Sequence, residues 1–183
     1  MRVITGIAGG RKLKSPDGEA VRPTADHVKQ AMFNILQFDL EGRRVLDLFG
    51  GSGQLGIEAL SRGARETVFV DSSRTSAALI RENLKRCGLN GRVLQTDALS
   101  FLARGEKFDV IFIDPPYDSG LYAAVLERIN AVDNLTEGGI IVCEARAGTE
   151  LPEMTGPYRK LRERRYGSVK ICLYTKAAYE QRQ

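Results

Sequence analysis

Cysteine and histidine are both scarce in this chain, and the shortage removes whole classes of chemistry. Cys87, Cys143 and Cys172 are odd in number, far apart, and form neither a CxxC pair nor a pairing with the single histidine, His27. A zinc site is therefore not expected, and the unpaired thiols imply a reducing compartment. Long apolar runs are also missing: no stretch approaches about 18 consecutive apolar residues. The opening MRVITGIAGGRKLK lacks the apolar core of a secretion signal. The expectation is a soluble, cytoplasmic protein without a metal. Its length of 183 residues, at about 150 residues per domain, excludes two full catalytic domains. A chain of this size buries roughly 70% of its unfolded surface, so one core can support it without staples. With 43% apolar and 27% charged residues, it has the balance of a globular chain and not of a disordered one.

The formal net charge is only +4, too small to name a partner, but its distribution is uneven. Residues 1–16 carry Arg2, Arg11, Lys12 and Lys14 and no acid, while 158–170 carry six bases against Glu163 alone. Basic ends around an acidic middle are either the footprint of a polyanion or a solvated charged surface.

Periodicity sets the architecture. Val28, Ala31, Met32 and Ile35 share one face of a helix over 24–38, with Thr24 as its N-cap after Pro23. Short β-prone pieces at 2–5 and 11–14 flank Gly9 and Gly10 and suggest a hairpin. From Arg44 onward, strand-like runs at 44–49, 66–71, 92–96, 108–113 and 139–143 alternate with helical segments, clearest at 73–87 and 120–132. Gly88 ends the first of these. Strands apolar enough to be covered on both faces imply a doubly wound, mostly parallel α/β sheet. Residues 158–165 and 168–175 add an antiparallel hairpin around Gly167, which makes seven strands. The chain divides into an N-terminal extension of hairpin and helix, 1–40, and a main domain, 41–183.

After the first sheet strand comes Asp47-Leu48-Phe49-Gly50-Gly51-Ser52-Gly53-Gln54-Leu55-Gly56. Gly51, Gly53 and Gly56 satisfy G-x-G-x-x-G, and Asp71 ends the next strand twenty residues after Gly51, where an acid can hold ribose hydroxyls. Glycine permits a positive φ in the turn and close approach of a ligand to the backbone. A dinucleotide is the first candidate. Asp47 speaks against it, because a carboxylate facing the loop repels a pyrophosphate and attracts an ammonium group. S-adenosylmethionine carries an ammonium and a sulfonium and no phosphate.

The fourth strand runs straight into Asp114-Pro115-Pro116-Tyr117. Ligands of doubly wound sheets bind beyond the carboxyl ends of the strands, which sets this tetrapeptide beside the glycine loop. Two prolines fix φ twice and remove two donors, leaving a stiff turn of acceptors. A nucleobase amine is a poor nucleophile because its lone pair is conjugated into the ring. Acceptors on its N–H groups favour the pyramidal form and relieve the charge that develops during attack on a methyl group. Asp114 and the Pro115 carbonyl supply such acceptors, and Tyr117 offers a face for a flipped base. Guanine presents N1–H beside its N2 amine, which suits an acceptor-only carboxylate; adenine N6 is the alternative. Asp97, after the third strand, either accepts from the cofactor's adenine or caps the helix at 98–104. His27 reads as structural or RNA-facing.

Four stretches together, RVITGIAGGRKLKSP, RPTADHVKQAMFNIL, VLDLFGGSGQLGIEALSRGA and FIDPPY, resemble the class I S-adenosylmethionine-dependent methyltransferases, and more closely the RsmD family of small-subunit ribosomal RNA guanine-N2 methyltransferases. The resemblance implies a Rossmann-like fold and methylation of one guanine of 16S rRNA, in an assembled or assembling small subunit; a monomer is expected. It implies that Arg22 and Thr24 close over S-adenosylmethionine. Asp47, Phe49, Gly50, Gly51, Ser52 and Gly53 would hold its methionine part, Asp71 with Ser72 its ribose, and Asp97 with Ala98 its adenine. Asp114, Pro115, Pro116 and Tyr117 would meet the target base. Gly51 stands where alanine is common in the family, and His27 where arginine or lysine is usual. The competing functions are an adenine-N6 methyltransferase on RNA or DNA, an NAD-dependent oxidoreductase resting on the glycine motif alone, and a silent RNA-binding factor.

Overall fold

The computed structural model describes residues 1–16, 23–116 and 119–176. In chain order the elements are α1 (Pro23–Ile35), β1 (Arg44–Asp47), α2 (Gln54–Ser61), β2 (Glu66–Asp71), α3 (Arg74–Cys87), β3 (Arg92–Gln95), α4 (Ala98–Leu102), β4 (Phe108–Ile113), α5 (Leu121–Val132), β5 (Leu135–Arg146), β6 (Met154–Thr155), β7 (Tyr158–Tyr166) and β8 (Val169–Lys176). One sheet runs β3-β2-β1-β4-β5-β8-β7-β6. Its first five strands are parallel, and β8 is antiparallel to β5 and β7. The seven strands expected from the sequence are all present, and the two-residue β6 adds an eighth at the edge.

Alternation along the strands decides what each face buries. Val45, Val110, Phe112, Val142, Ile171 and Leu173 pack with Val28, Met32 and Phe33 of α1 and with Leu55 and Ala59 of α2. Their neighbours Leu46, Ile111, Ile113, Ile141 and Cys143 pack on the opposite face with α4 and α5. Both faces are dry, as a parallel sheet requires.

Helix α1 begins at Pro23, so Thr24 lies in its first turn and is not its N-cap; a proline at that first position loses no helical hydrogen bond. It ends at Ile35, three residues short of the periodicity, because Leu36 leaves the helix and is still buried. Strand β5 begins at Leu135, before the expected 139, and absorbs a register shift against β4. Helix α3 begins one residue later than expected, at Arg74, because Ser73 caps it by accepting the Ser76 amide, and it ends as expected at Gly88, which turns left-handed at φ 66°.

The expected N-terminal hairpin is present but short: Arg2 bridges Lys12 antiparallel, the Val3 amide donates to the Arg11 carbonyl at 3.0 Å, and the Leu13 amide to the Met1 carbonyl at 3.1 Å. Its inward side chains Val3, Ala8 and Leu13 pack against Ile57, Leu60, Ile80 and Leu84 of α2 and α3. Side chains satisfy other amides of this segment: Glu58 accepts from Ile4 at 2.7 Å and Thr5 at 3.0 Å, and Ser61 Oγ accepts from Ala8 at 3.0 Å. The buried Lys29 Nζ donates to the Arg2 carbonyl at 2.6 Å and lies 3.9 Å from Glu58. No helix among the described residues is long and apolar enough to cross a membrane.

Candidate active site

The strand order reverses between β1 and β4, and that crevice is where doubly wound sheets bind ligands. Asp47 ends β1 opposite Phe112 of β4, so Asp114 follows two residues further along the neighbouring strand. On the other side, Ile113 pairs with Cys143, which sets Glu144 level with Asp114.

The glycine loop is held by carboxylates. Asp47 Oδ2 accepts the Gly56 amide at 2.9 Å, and Asp71 accepts the Gly51 and Ser73 amides through its two oxygens, each at 2.8 Å. Gly51 and Gly53 take φ of 55° and 80°, the left-handed turn that favours glycine. Gly56 is needed for a different reason: a Cβ there would meet Phe69 Cε1 at 2.3 Å, so it allows α2 to lie on β2. Both oxygens of Asp71 are engaged with backbone, yet each keeps a lone pair for a hydroxyl. Phe49 is half-buried, Gly50 and Ser52 are buried, and Ser72 is exposed.

Asp97 is the N-cap of α4: its side chain accepts the Ser100 amide at 3.0 Å and is held below the usual carboxylate range by those Ser100 hydrogen bonds. Ala98 follows it, half-buried. After β4, Asp114 is half-buried, Pro115 buried and Pro116 exposed. The Pro116 carbonyl is taken by the Ser119 amide at 3.2 Å, which closes the turn. Arg22 and Tyr117 lie outside the described residues, as does the side chain of Thr24.

Electrostatics sets the character of the crevice. Burial pushes Asp47 up to about 7, aided by Asp71 and opposed by the Gly56 amide. Asp114 is raised well above the carboxylate range by burial, then by Glu144 and Asp47. Burial raises Glu144 to about 7. Among the described residues no ion pair reaches any of the three. Clustered carboxylates that lack a cation are strained until a positive ligand arrives, and a left-handed glycine turn lies beside them. That donor set fits S-adenosylmethionine, with its ammonium and sulfonium, and opposes a pyrophosphate.

Sequence reasoning passed over Glu144, although it directly follows the expected end of the fifth strand, where ligand-facing groups gather. It also passed over Asn83, a fully buried amide on the apolar face of α3 between Ile80 and Cys87. A polar residue at a core position was the available signal.

The basic residues Arg2, Arg11, Lys12 and Lys14 are all exposed or half-buried at the surface. Arg11 donates to the Arg86 carbonyl at 2.8 Å and Lys14 pairs with Glu82 at 3.2 Å, so the segment lies along α3. His27 is exposed on α1.

The family described as Conserved hypothetical protein 95 matches residues 1–175. YlbH of Bacillus subtilis, provisionally named as an rRNA methyltransferase, is 41% identical over 182 residues, covering 96% of this chain and 99% of its own. Ribosomal RNA small subunit methyltransferase D of Escherichia coli K12 is 34% identical over 181 residues, covering 97% and 91%. The solved structure of yhhF from Escherichia coli, provisionally described as a methyltransferase, superposes with a TM-score of 0.84 at 32% identity, covering 96% and 97%. With its glycine loop, its Asp-Pro-Pro turn and these relatives in agreement over nearly its whole length, the chain belongs to the Conserved hypothetical protein 95 family, the RsmD family of ribosomal RNA methyltransferases.

Proposed function

We propose that the chain transfers a methyl group from S-adenosylmethionine to the exocyclic N2 amine of one guanine in 16S rRNA of the small ribosomal subunit. The observation that carries this reading is the convergence of Asp47 and Asp114 on adjacent strands at the switch point, with no cation among the described residues between them. When bound, S-adenosylmethionine supplies a methyl group activated by a sulfonium. Asp47 and the backbone of Gly51 to Gly53 would hold its methionine end, Asp71 and Ser72 its ribose, and Asp97 and Ala98 would meet its adenine. Arg22 and Thr24, which the family resemblance assigns, would close over it.

Asp114 and the Pro115 carbonyl would accept the N–H groups of the amine and favour its pyramidal, nucleophilic form. Pro116 stiffens the turn, and Tyr117 stacks on the flipped base. Transfer would break the methyl–sulfur bond and leave S-adenosylhomocysteine, and the methylated nitrogen would give one proton to an Asp114 carboxylate held ionised by the bound cation. Residues 1–40 serve as the RNA-facing extension through Arg2, Arg11, Lys12 and Lys14, and 41–183 as the catalytic domain. The protein works as a monomer in the cytoplasm, on a subunit or its assembly intermediate.

Labelled S-adenosylmethionine and small subunits from a strain lacking the enzyme test the reading. One labelled guanine is expected; label on adenine or on protein rejects the base assignment. Asp114→Ala should lower kcat by about 10²–10³-fold, the cost of removing one group that stabilises the transition state, while S-adenosylhomocysteine affinity holds.

A further inference from the structure

The basic N-terminal segment and the glycine loop share one buried amide. Asn83 Oδ1 accepts the Lys14 amide at 2.8 Å, while its Nδ2 donates to the Lys14 carbonyl at 3.0 Å and to the Ser52 carbonyl at 2.9 Å. Asn83 makes all three bonds at zero exposure, so no water can replace a missing partner. A second tie runs parallel to the first: the Ser52 hydroxyl donates to the Met1 sulfur at 3.4 Å. Both ends of the 1–14 segment are thus fastened to the middle residue of the loop. The same segment carries Arg11, anchored to the Arg86 carbonyl, and the exposed Lys12.

An unmade hydrogen bond on a buried amide is costly enough that residues 11–14 cannot shift alone. Asn83 links their movement or ordering directly to the Ser52 carbonyl, between the two left-handed glycines. We propose that Asn83 is a positioning residue that couples RNA engagement by residues 11–14 to cofactor binding by the glycine loop, so that each ligand tightens the other. The inference rests on the functional reading above. Linkage makes the effect reciprocal. It favours an order in which the cofactor is gripped most firmly once the polyanion is seated, and S-adenosylhomocysteine is released as the RNA leaves.

The test is equilibrium dialysis of tritiated S-adenosylhomocysteine, with and without saturating unmethylated small subunits. The full chain should bind it on the order of tenfold more tightly with subunits present, within the usual range of such coupling. In Asn83→Ala the ratio of the two affinities should fall to about one. A purely structural role would weaken both affinities together and leave the ratio intact, which would overturn the proposal. Should that variant fail to fold, hydrogen exchange on the unmodified protein decides. S-adenosylhomocysteine should slow exchange of the Lys14 amide as well as that of the loop, and protection confined to the loop would count against the coupling. Absence of any binding to the unmodified protein would instead remove the functional reading, and this inference with it.

Discussion

Asp47 ends β1 and Asp114 directly follows the neighbouring parallel strand β4, staggered by two residues, and burial raises the proton affinity of both. A carboxyl group whose folded pKa is raised binds its proton more tightly in the native state than unfolded. Stability of the free protein from Asp47 therefore falls as pH rises from about 4 toward 7. A ligand carrying an ammonium reverses this, because it favours the ionised form. S-adenosylhomocysteine affinity should rise between pH 6 and 8, by up to about tenfold per pH unit below the Asp47 pKa, with proton release on binding. Calorimetry in two buffers of different ionisation heat measures the released proton. A flat profile, or one unchanged in Asp47→Asn, contradicts the role given to Asp47.

Glu58 holds the N-terminal segment from beneath. It is fully buried, accepts from Ile4 and Thr5, and pairs with Arg62 at 2.8 Å and with the buried Lys29 at 3.9 Å. Glu58→Ala leaves the Lys29 charge uncompensated, and removing one partner of a buried pair costs about 3–5 kcal/mol. Urea unfolding should show that loss, and limited proteolysis should open the chain near Arg2. A variant as stable as the parent would mean that the segment is anchored by its apolar packing alone.

Gly56 and Gly148 make a paired prediction. An added Cβ at Gly56 meets the Phe69 ring at 2.3 Å, whereas at Gly148 it meets nothing within 4 Å. Gly56→Ala should cost about 1–3 kcal/mol through overpacking, and Gly148→Ala should stay within about 0.5 kcal/mol. Thermal melts of the two variants make the comparison.

Neutralising Arg2, Arg11 and Lys12 to Gln should weaken binding to small subunits and flatten its salt dependence. Each phosphate no longer neutralised lowers the log–log slope by about 0.7–0.9. Binding measured across a salt series gives the slope; an unaltered value would mark these side chains as a solvated face.

Much of this molecule is legible in one dimension. The residues from Ser73 to Cys87 disclose a helix because Ala77, Ile80, Leu84 and Cys87 recur at helical spacing, Ser73 can cap it and Gly88 can end it. Asp47, the loop glycines and Asp114 are legible because chain order puts each just after a strand, and parallel strands bring all such ends to one rim. The N-terminal hairpin is legible as a pairing of 1–3 with 10–13, but its docking through Val3, Ala8 and Leu13 onto α2 and α3 is not. Glu144 and Asn83 escape a linear reading because their roles depend on residues distant in the chain, as in the bond from Asn83 to Ser52, 31 positions apart.

Local pattern by itself determined which segments are strands, which are helices, and which carboxylates stand at strand ends, because those properties depend on period and on adjacent residues. Only the folded arrangement decided that the acids of β1, β4 and β5 crowd together with no cation among the described residues between them, and that one buried amide joins the basic segment to the glycine loop. Burial and charge proximity are set by strand register and helix packing, which bring together residues far apart in the chain and which no local spacing encodes.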